Sequence, residues 1–293
     1  MKMKVGFYLG CLIPTEQYAY EMSLREVLPR LGVELVEMED ASCCGAPLRS
    51  INLLLTLYLS ARNLALCEEK GIDVFAPCPN CHLALCEAKR TLDSDQKVRE
   101  RLNSMLKEEG LKYSSSARVY HTLDLLHDKI GIEEIKKHIT HPIKELKIAA
   151  HYGCHLIRPA DVGRPDDSEN PQKFEHILRA IGANTEDYTE KLNCCGAPIM
   201  ITHPESALTK TAQKLKAVQE HAFNALATLC PWGHRMFDTK QSNASQTIGE
   251  TLNMPVLYLT QLLGLAMGIE PSKLGLELNL SPIEQLKVMG GGE

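Results

Sequence analysis

The sequence predicts an α/β fold of two repeated units, each with a mainly parallel sheet and flanking helices, and three observations lead there. Short apolar stretches of strand character alternate with longer stretches of helical spacing along the whole chain. One five-residue word, Cys-Cys-Gly-Ala-Pro, occurs at Cys43–Pro47 and again at Cys194–Pro198. Each copy also has a lone cysteine upstream and a Cys-Pro downstream, so a whole constellation is repeated. The first half carries Cys11, Cys43-Cys44 and Cys78-Pro79-Asn80-Cys81-His82; the second carries Cys154, Cys194-Cys195 and Cys230-Pro231-Trp232-Gly233-His234.

In chain order, Lys4–Leu9 reads as a buried strand that delivers Cys11 just past its end. Glu16–Leu31 has helical spacing, and Val33–Glu37 alternates as a short strand leading to Cys43. Asn52–Lys70 is predicted helical and stopped by Gly71. Asp73–Ala76 is a strand followed at once by Cys78-Pro79, and a long polar helix is expected from about His82 to Glu109. Arg118–His121 is a strand, and Thr122–His127 is helical. The order restarts after Pro142. Leu146–His151 is a strand delivering Cys154; Asn170-Pro171 is expected to cap and open a helix closed by Gly182. Cys194-Cys195 follows the short stretch Asn184–Tyr188. Pro204–His221 is an amphipathic helix, Asn224–Leu229 a strand ending at Cys230-Pro231, and Val256–Tyr258 leads into Thr260–Leu263. Offsets between landmarks are 143 for Cys11 and Cys154, 151 for Cys44 and Cys195, and 152 for Cys78 and Cys230. Their variation implies a duplicated unit with altered loops, divided as residues 1–141 and 142–293. Cysteines placed just after strands converge at the carboxyl ends of the sheets, where such folds build sites. The tail Met289–Glu293 is expected to be flexible.

Bulk properties narrow the function. At 293 residues, with 44% hydrophobic and 24% charged residues, the chain can bury a core without staples. Its net charge of -5, with no basic stripe, argues against a nucleic-acid partner. The N-terminal apolar run is too short for a secretory signal, and Ile51–Leu66 is too short and too polar to cross a hydrocarbon layer of roughly 30 Å. A cytoplasmic protein that does not span a membrane is expected. There, eleven cysteines in clusters point to metal binding or redox catalysis.

Five cysteines in one set exceed the four tetrahedral ligands of structural zinc. Adjacent cysteines such as Cys43-Cys44 suit a larger cluster in which one turn ligates more than one metal ion. Gly45 permits the strained backbone of that turn and Pro47 fixes its exit. Zinc in one of the two sites is the alternative occupant. Cys67 and Cys86 fall outside the pattern and read as buried thiols.

The tandem arrangement of Cys, then Cys-Cys-Gly, then Cys-Pro-x-Cys resembles the repeated CCG domain of the B-type subunits of heterodisulfide reductase. The resemblance covers essentially the whole chain and extends to Tyr152–Pro159, Asp166–Pro171 and Thr260–Gly264. It implies two pseudo-repeated CCG domains, each binding a noncubane 4Fe-4S cluster through five cysteines, and disulfide–dithiol redox chemistry in one-electron steps. Carried over, the first cluster takes Cys11, Cys43, Cys44, Cys78 and Cys81, and the second takes Cys154, Cys194, Cys195 and Cys230. Gly233 stands where the fifth cysteine of the second set belongs. Three outcomes are open there: a four-cysteine cluster of different shape, His234 as a ligand, or an open iron for a substrate sulfur.

That departure fits the heterodisulfide-reductase-like complexes of sulfur oxidation, whose thiols are carried on a lipoyl-bearing protein. With no Gly-x-Gly-x-x-Gly after a strand, electrons are expected to pass to or from partners, an iron–sulfur C-like subunit and a flavin-containing A-like subunit. Around Cys154, His155 is a candidate proton donor to a departing thiolate and Arg158 a candidate holder of an anionic group. An electron-transfer subunit without its own substrate and a zinc-stapled assembly protein are the competing readings.

Overall fold

The computed structural model describes residues 3–283. The glycine-rich tail expected to be flexible lies outside them. Strands β1 (Met3–Phe7), β2 (Val33–Glu37), β3 (Asp73–Phe75) and β4 (Val119–Tyr120) form a sheet in the order β2-β1-β3-β4, with every pair parallel. Strands β5 (Ile148–His151), β6 (Ala225–Thr228) and β7 (Val256–Tyr258) form a second parallel sheet in that order. Beside β5, where the first sheet has β2, Asn184 bridges Lys147 in parallel, and the Ile148 amide donates to the Asn184 carbonyl at 2.8 Å. The second half thus repeats the first, with its outer strand reduced to one bridge.

Register positions the site. Phe7 lies opposite both Glu37 and Phe75, and Phe75 opposite Tyr120. His151 lies opposite Thr228, and Thr228 opposite Tyr258. The strands of each sheet end level with one another, so the loops that follow them, cysteine loops included, emerge along one edge. Every residue of β5, β6 and β7 is buried, as parallel strands covered on both faces require.

The halves do not pack as separate bodies. One apolar core runs from Val5, Leu24 and Phe75 to Ile148, Leu257 and Leu263, and a smaller one under the second sheet gathers Ala149, Leu226, Phe237 and Val256. At the seam Ser23 and Thr260 share a hydrogen bond of 2.7 Å between their hydroxyls.

Several predicted elements change. The expected helix from His82 to Glu109 is two helices, Pro79–Ser94 and Gln96–Leu106. Asp95 separates them because its carboxylate accepts from the amides of Lys97 and Val98, the favourable use of aspartate at a helix start. The helix expected to open at Asn170-Pro171 is Lys173–Ala180. Asp166 from upstream takes the capping role, accepting from the amides of Gln172 and Lys173 at 2.9 and 2.7 Å. A short helix, Leu12–Glu16, precedes the predicted one, which is Tyr18–Arg30. Helices Ile132–Lys137 and Gln241–Ile248 are additions to the elements that the sequence pattern predicts.

Candidate metal centres

The first Cys-Cys-Gly turn is held by one face of the helix Leu53–Glu69. Three polar side chains spaced four and three residues apart line that face. The Thr56 hydroxyl donates to the Gly45 carbonyl at 3.1 Å and the Ser60 hydroxyl to the Cys44 carbonyl at 2.7 Å. The Asn63 side chain accepts from the Ser42 amide at 2.9 Å and donates to the Ser42 and Cys43 carbonyls at 3.1 and 3.3 Å. Gly45 has φ +82°, and a Cβ there would lie 2.8 Å from the Thr56 Cα. Only glycine lets the turn approach its helix this closely.

Around this turn the five predicted cysteines come together. Cys11 precedes the helix Leu12–Glu16, and Cys78 and Cys81 sit at the start and in the first turn of Pro79–Ser94. Cys44, Cys78 and Cys81 are buried while Cys11 and Cys43 are exposed. Hydrogen bonding from Cys43 and Cys81 pushes the Cys44 thiol down to about 3. Cys43, Cys81 and Cys11 move the other way. Cys81 is raised by Cys44, Cys78 and burial, and Cys11 by burial and then by Cys44 and Cys78. Crowded sulfurs of which few can ionise alone are a donor set that bound cations complete, since metal ligation requires thiolates. The residues fit an iron–sulfur group. Among the described residues, no three histidine, cysteine or acidic side chains converge tightly enough for a single metal ion.

The second set follows the same plan. The Thr211 hydroxyl on the helix Pro204–Glu220 donates to the Cys195 carbonyl at 2.8 Å, matching Ser60, and Gly196 has φ +93°. Cys195 and Cys230 are buried, Cys154 is half-buried and Cys194 exposed. The Cys195 thiol lowers Cys194 to about 6, and Cys195 in turn is raised. Burial raises Cys230, and the next cause is Cys78 of the first set. The two centres are therefore neighbours. Between them Tyr20 and Tyr258 stack, and both feel Cys78 and Cys230.

A cleft of about 530 Å³ opens at Cys154 and is lined by His155, Arg158, Arg49, Leu83 and Glu169 among others. Arg158 donates to the Ser168 carbonyl at 3.3 and 3.1 Å and lies 3.6 Å from the Glu169 carboxylate, with its guanidinium exposed. His155 is half-buried, and burial followed by Arg49 lowers its pKa. Its carbonyl accepts from Arg164 at 3.0 Å. A second cleft of about 450 Å³, at Cys11 and Cys43, is lined by Glu37 and Glu39 instead. The opening on the second centre thus carries two arginines, Arg49 paired with Glu87 and Arg158 near Glu169, whereas that on the first carries Glu39 and Glu37, the latter paired with Arg25.

Of the three predicted catalytic residues, His155 and Arg158 share a cleft. His234 is buried elsewhere, its ring stacked on Tyr258 at 4.2 Å and its Nε2 3.3 Å from the Asn279 amide nitrogen. Arg49 was missed; it stands two residues past the first Cys-Cys-Gly-Ala-Pro word, and only the folded chain carries it to the second centre. Buried Tyr8, Tyr20, His151 and Tyr258 were missed as well, since nothing local marks them. Cys67 is buried against the Met38 sulfur at 3.5 Å, and Cys86 lies 3.7 Å from His82.

Comparison with known proteins finds relatives over most of the chain. The cysteine-rich domain family designated CCG matches residues 5–86 and 148–238, which contain the nine cysteines of the two sets. The B subunit of the ferredoxin/F(420)H(2)-dependent CoB-CoM heterodisulfide reductase of Methanosarcina acetivorans is 35% identical over 280 residues, covering 94% of this chain and 93% of that protein. The 8-methylmenaquinol:fumarate reductase membrane anchor subunit of Wolinella succinogenes is 34% identical over 282 residues, covering 96% and 98%. Among solved structures, a hypothetical protein from Helicobacter pylori shares the fold with a TM-score of 0.77 at 17% identity; the match covers 97% of this chain and 54% of that one.

Proposed function

This chain belongs to the cysteine-rich CCG domain family and, within it, to the family of heterodisulfide reductase B-type subunits; from that premise we propose that it is the iron–sulfur subunit of a heterodisulfide-reductase-like complex. Residues 1–141 and 142–293 form its two CCG domains. Cys11, Cys43, Cys44, Cys78 and Cys81 hold one noncubane 4Fe-4S cluster, and Cys154, Cys194, Cys195 and Cys230 hold a second cluster, in preference to zinc. Bound there, such clusters supply the one-electron steps.

The overall reaction takes one disulfide, two electrons and two protons to two thiols, or runs in reverse. Electrons are exchanged with a partner, an iron–sulfur C-like subunit and through it a flavin-containing A-like subunit. Arg158 and Arg49 bind an anionic group of the disulfide or of the protein that carries it, and the cleft orients one sulfur toward Cys154. His155 relays one proton to the leaving thiolate and solvent in the open cleft supplies the other. A lipoyl group on a carrier protein is the substrate class this cleft suits, in the cytoplasm.

The observation that carries this reading is the asymmetry of the two openings: two neighbouring cysteine sets, with a cleft lined by two arginines on the second alone. Adding a dithiolane or mixed disulfide to the anaerobic, reduced protein is expected to change the EPR spectrum of one centre and release thiol. Unchanged spectra with every disulfide tried would contradict it. The Wolinella relative, matched over nearly its whole length, favours a second reading in which the chain relays electrons without a disulfide of its own. In that case only a redox partner, and no disulfide, alters the spectra. No helix among the described residues is long and apolar enough to cross a membrane.

A further inference from the structure

We propose that His151 is the nitrogen donor to the second cysteine-held group, in the place that the Cys81 thiolate takes in the first. The inference rests on reading the cysteine sets as iron–sulfur centres.

His151 ends β5 three residues before Cys154, as Tyr8 follows β1 three residues before Cys11. Tyr8 lies among the first cysteines: its phenol is raised by burial and then by Cys81, Cys44, Cys43 and Cys11. Its hydroxyl is satisfied, donating to the Ser42 carbonyl at 2.7 Å. His151 has no such satisfaction. It is 2% exposed, and both ring nitrogens lack any hydrogen-bond partner among the described residues. Buried imidazoles are ordinarily paired, so two orphaned nitrogens on one ring point to an absent partner.

Gly233 tells where that partner sits. It occupies the position of Cys81, one turn past Cys230, and a Cβ built on it would stand 3.3 Å from His151 Cδ2 and 3.4 Å from Nε2. The imidazole edge borders the space that a cysteine side chain at 233 would enter. Thus the pair Tyr8 and Cys81 of the first centre is exchanged for His151 and Gly233 in the second. Phe237 lies edge-on to the ring at 4.8 Å, and burial with the more distant charge of Lys214 favours the neutral imidazole that ligation requires.

His234 is the weaker choice. Its Nε2 already meets Asn279 and its ring is stacked on Tyr258, so only its Nδ1 lacks a partner among the described residues, against both nitrogens of His151. Its counterpart His82 follows a complete five-cysteine set, so a histidine at this position does not depend on a missing thiolate. A neutral nitrogen in place of an anionic sulfur leaves the second centre less negative, and histidine ligation raises the potential of iron–sulfur centres.

The test uses full-length protein purified without oxygen, with nitrogen-15 in histidine only, loaded with iron and sulfide and poised in a paramagnetic state. Pulsed EPR is expected to show a strongly coupled histidine nitrogen in the unmodified protein. The coupling is lost in His151→Leu and kept in His234→Leu. The double variant His151→Tyr, Gly233→Cys rebuilds the first centre's pair; it should bind as much iron, lose the coupling and shift one reduction potential downward. Iron-loaded protein without histidine coupling, or coupling that disappears with His234, overturns the assignment alone. A chain that takes up no iron overturns the iron–sulfur reading together with it.

Discussion

Tyr20 and Tyr258 stack face to face across the seam between the two halves, with centroids 4.1 Å apart and planes within 1°. Each hydroxyl is tied down, Tyr20 to Thr122 at 2.8 Å and Tyr258 to Gln17 at 2.6 Å. Because both rings are fully buried, Tyr258→Ala is expected to destabilise the fold by about 3–5 kcal/mol. A double-mutant cycle with Tyr20→Ala should return a coupling of about 0.5–1.5 kcal/mol in chemical denaturation. Additive losses would show that the seam is not held by this stack.

The two Cys-Cys-Gly turns should tolerate no side chain at their glycine. An alanine in left-handed backbone costs about 1–2 kcal/mol by itself. At Gly45 it also meets the Thr56 backbone, and at Gly196 the Ala207 carbonyl. Gly71→Ala is the control, with φ +64° and nothing within 4 Å among the described residues. Denaturation curves should place Gly45→Ala and Gly196→Ala well below Gly71→Ala, with the iron of the corresponding centre lost.

Arg49 and Arg158 reach one cleft from different halves of the chain. If they share an anionic substrate, Arg158→Ala and Arg49→Ala should each raise KM about tenfold or more and leave kcat largely intact, a loss near 1.4 kcal/mol per tenfold. Steady-state kinetics with anionic and neutral disulfides separate the cases, because a neutral disulfide should be unaffected.

Asp124 supplies a pH signature. Its carboxyl accepts from the His121 amide at 2.7 Å, yet removal from water raises its pKa to about 7. Between pH 4 and 7 the native protein then binds the proton that the unfolded chain has released, so stability falls as pH rises through that window. Asp124→Asn removes this slope. Relative to the variant, the unmodified protein should lose roughly 2–4 kcal/mol from pH 4 to pH 7. Parallel stability curves would contradict the assignment.

How much of this was legible beforehand depends on whether the cause is local. Strand ends followed by cysteine, the glycine of each Cys-Cys-Gly turn and the repeated order of elements are short-range features, and they stand nearly where the chain announced them. Asp95 broke a predicted helix because an aspartate in a polar run reads the same whether it caps or faces solvent. Asp166 displaced Asn170 as a cap from a loop several residues upstream. Arg49 and His151 were illegible for a stronger reason. Each matters only through residues far along the chain: Arg49 through His155, with which it shares a cleft, and His151 beside Gly233. The sequence did expose the missing thiolate at 233, while the ring bordering its place emerged only on folding.

The central claim is that both cysteine sets hold iron–sulfur clusters, and counting metal tests it most directly. In protein purified and desalted without oxygen, about eight irons and a matching amount of acid-labile sulfide per chain are expected, falling by about half in Cys44→Ser and in Cys195→Ser. Zinc with neither iron nor sulfide would contradict it.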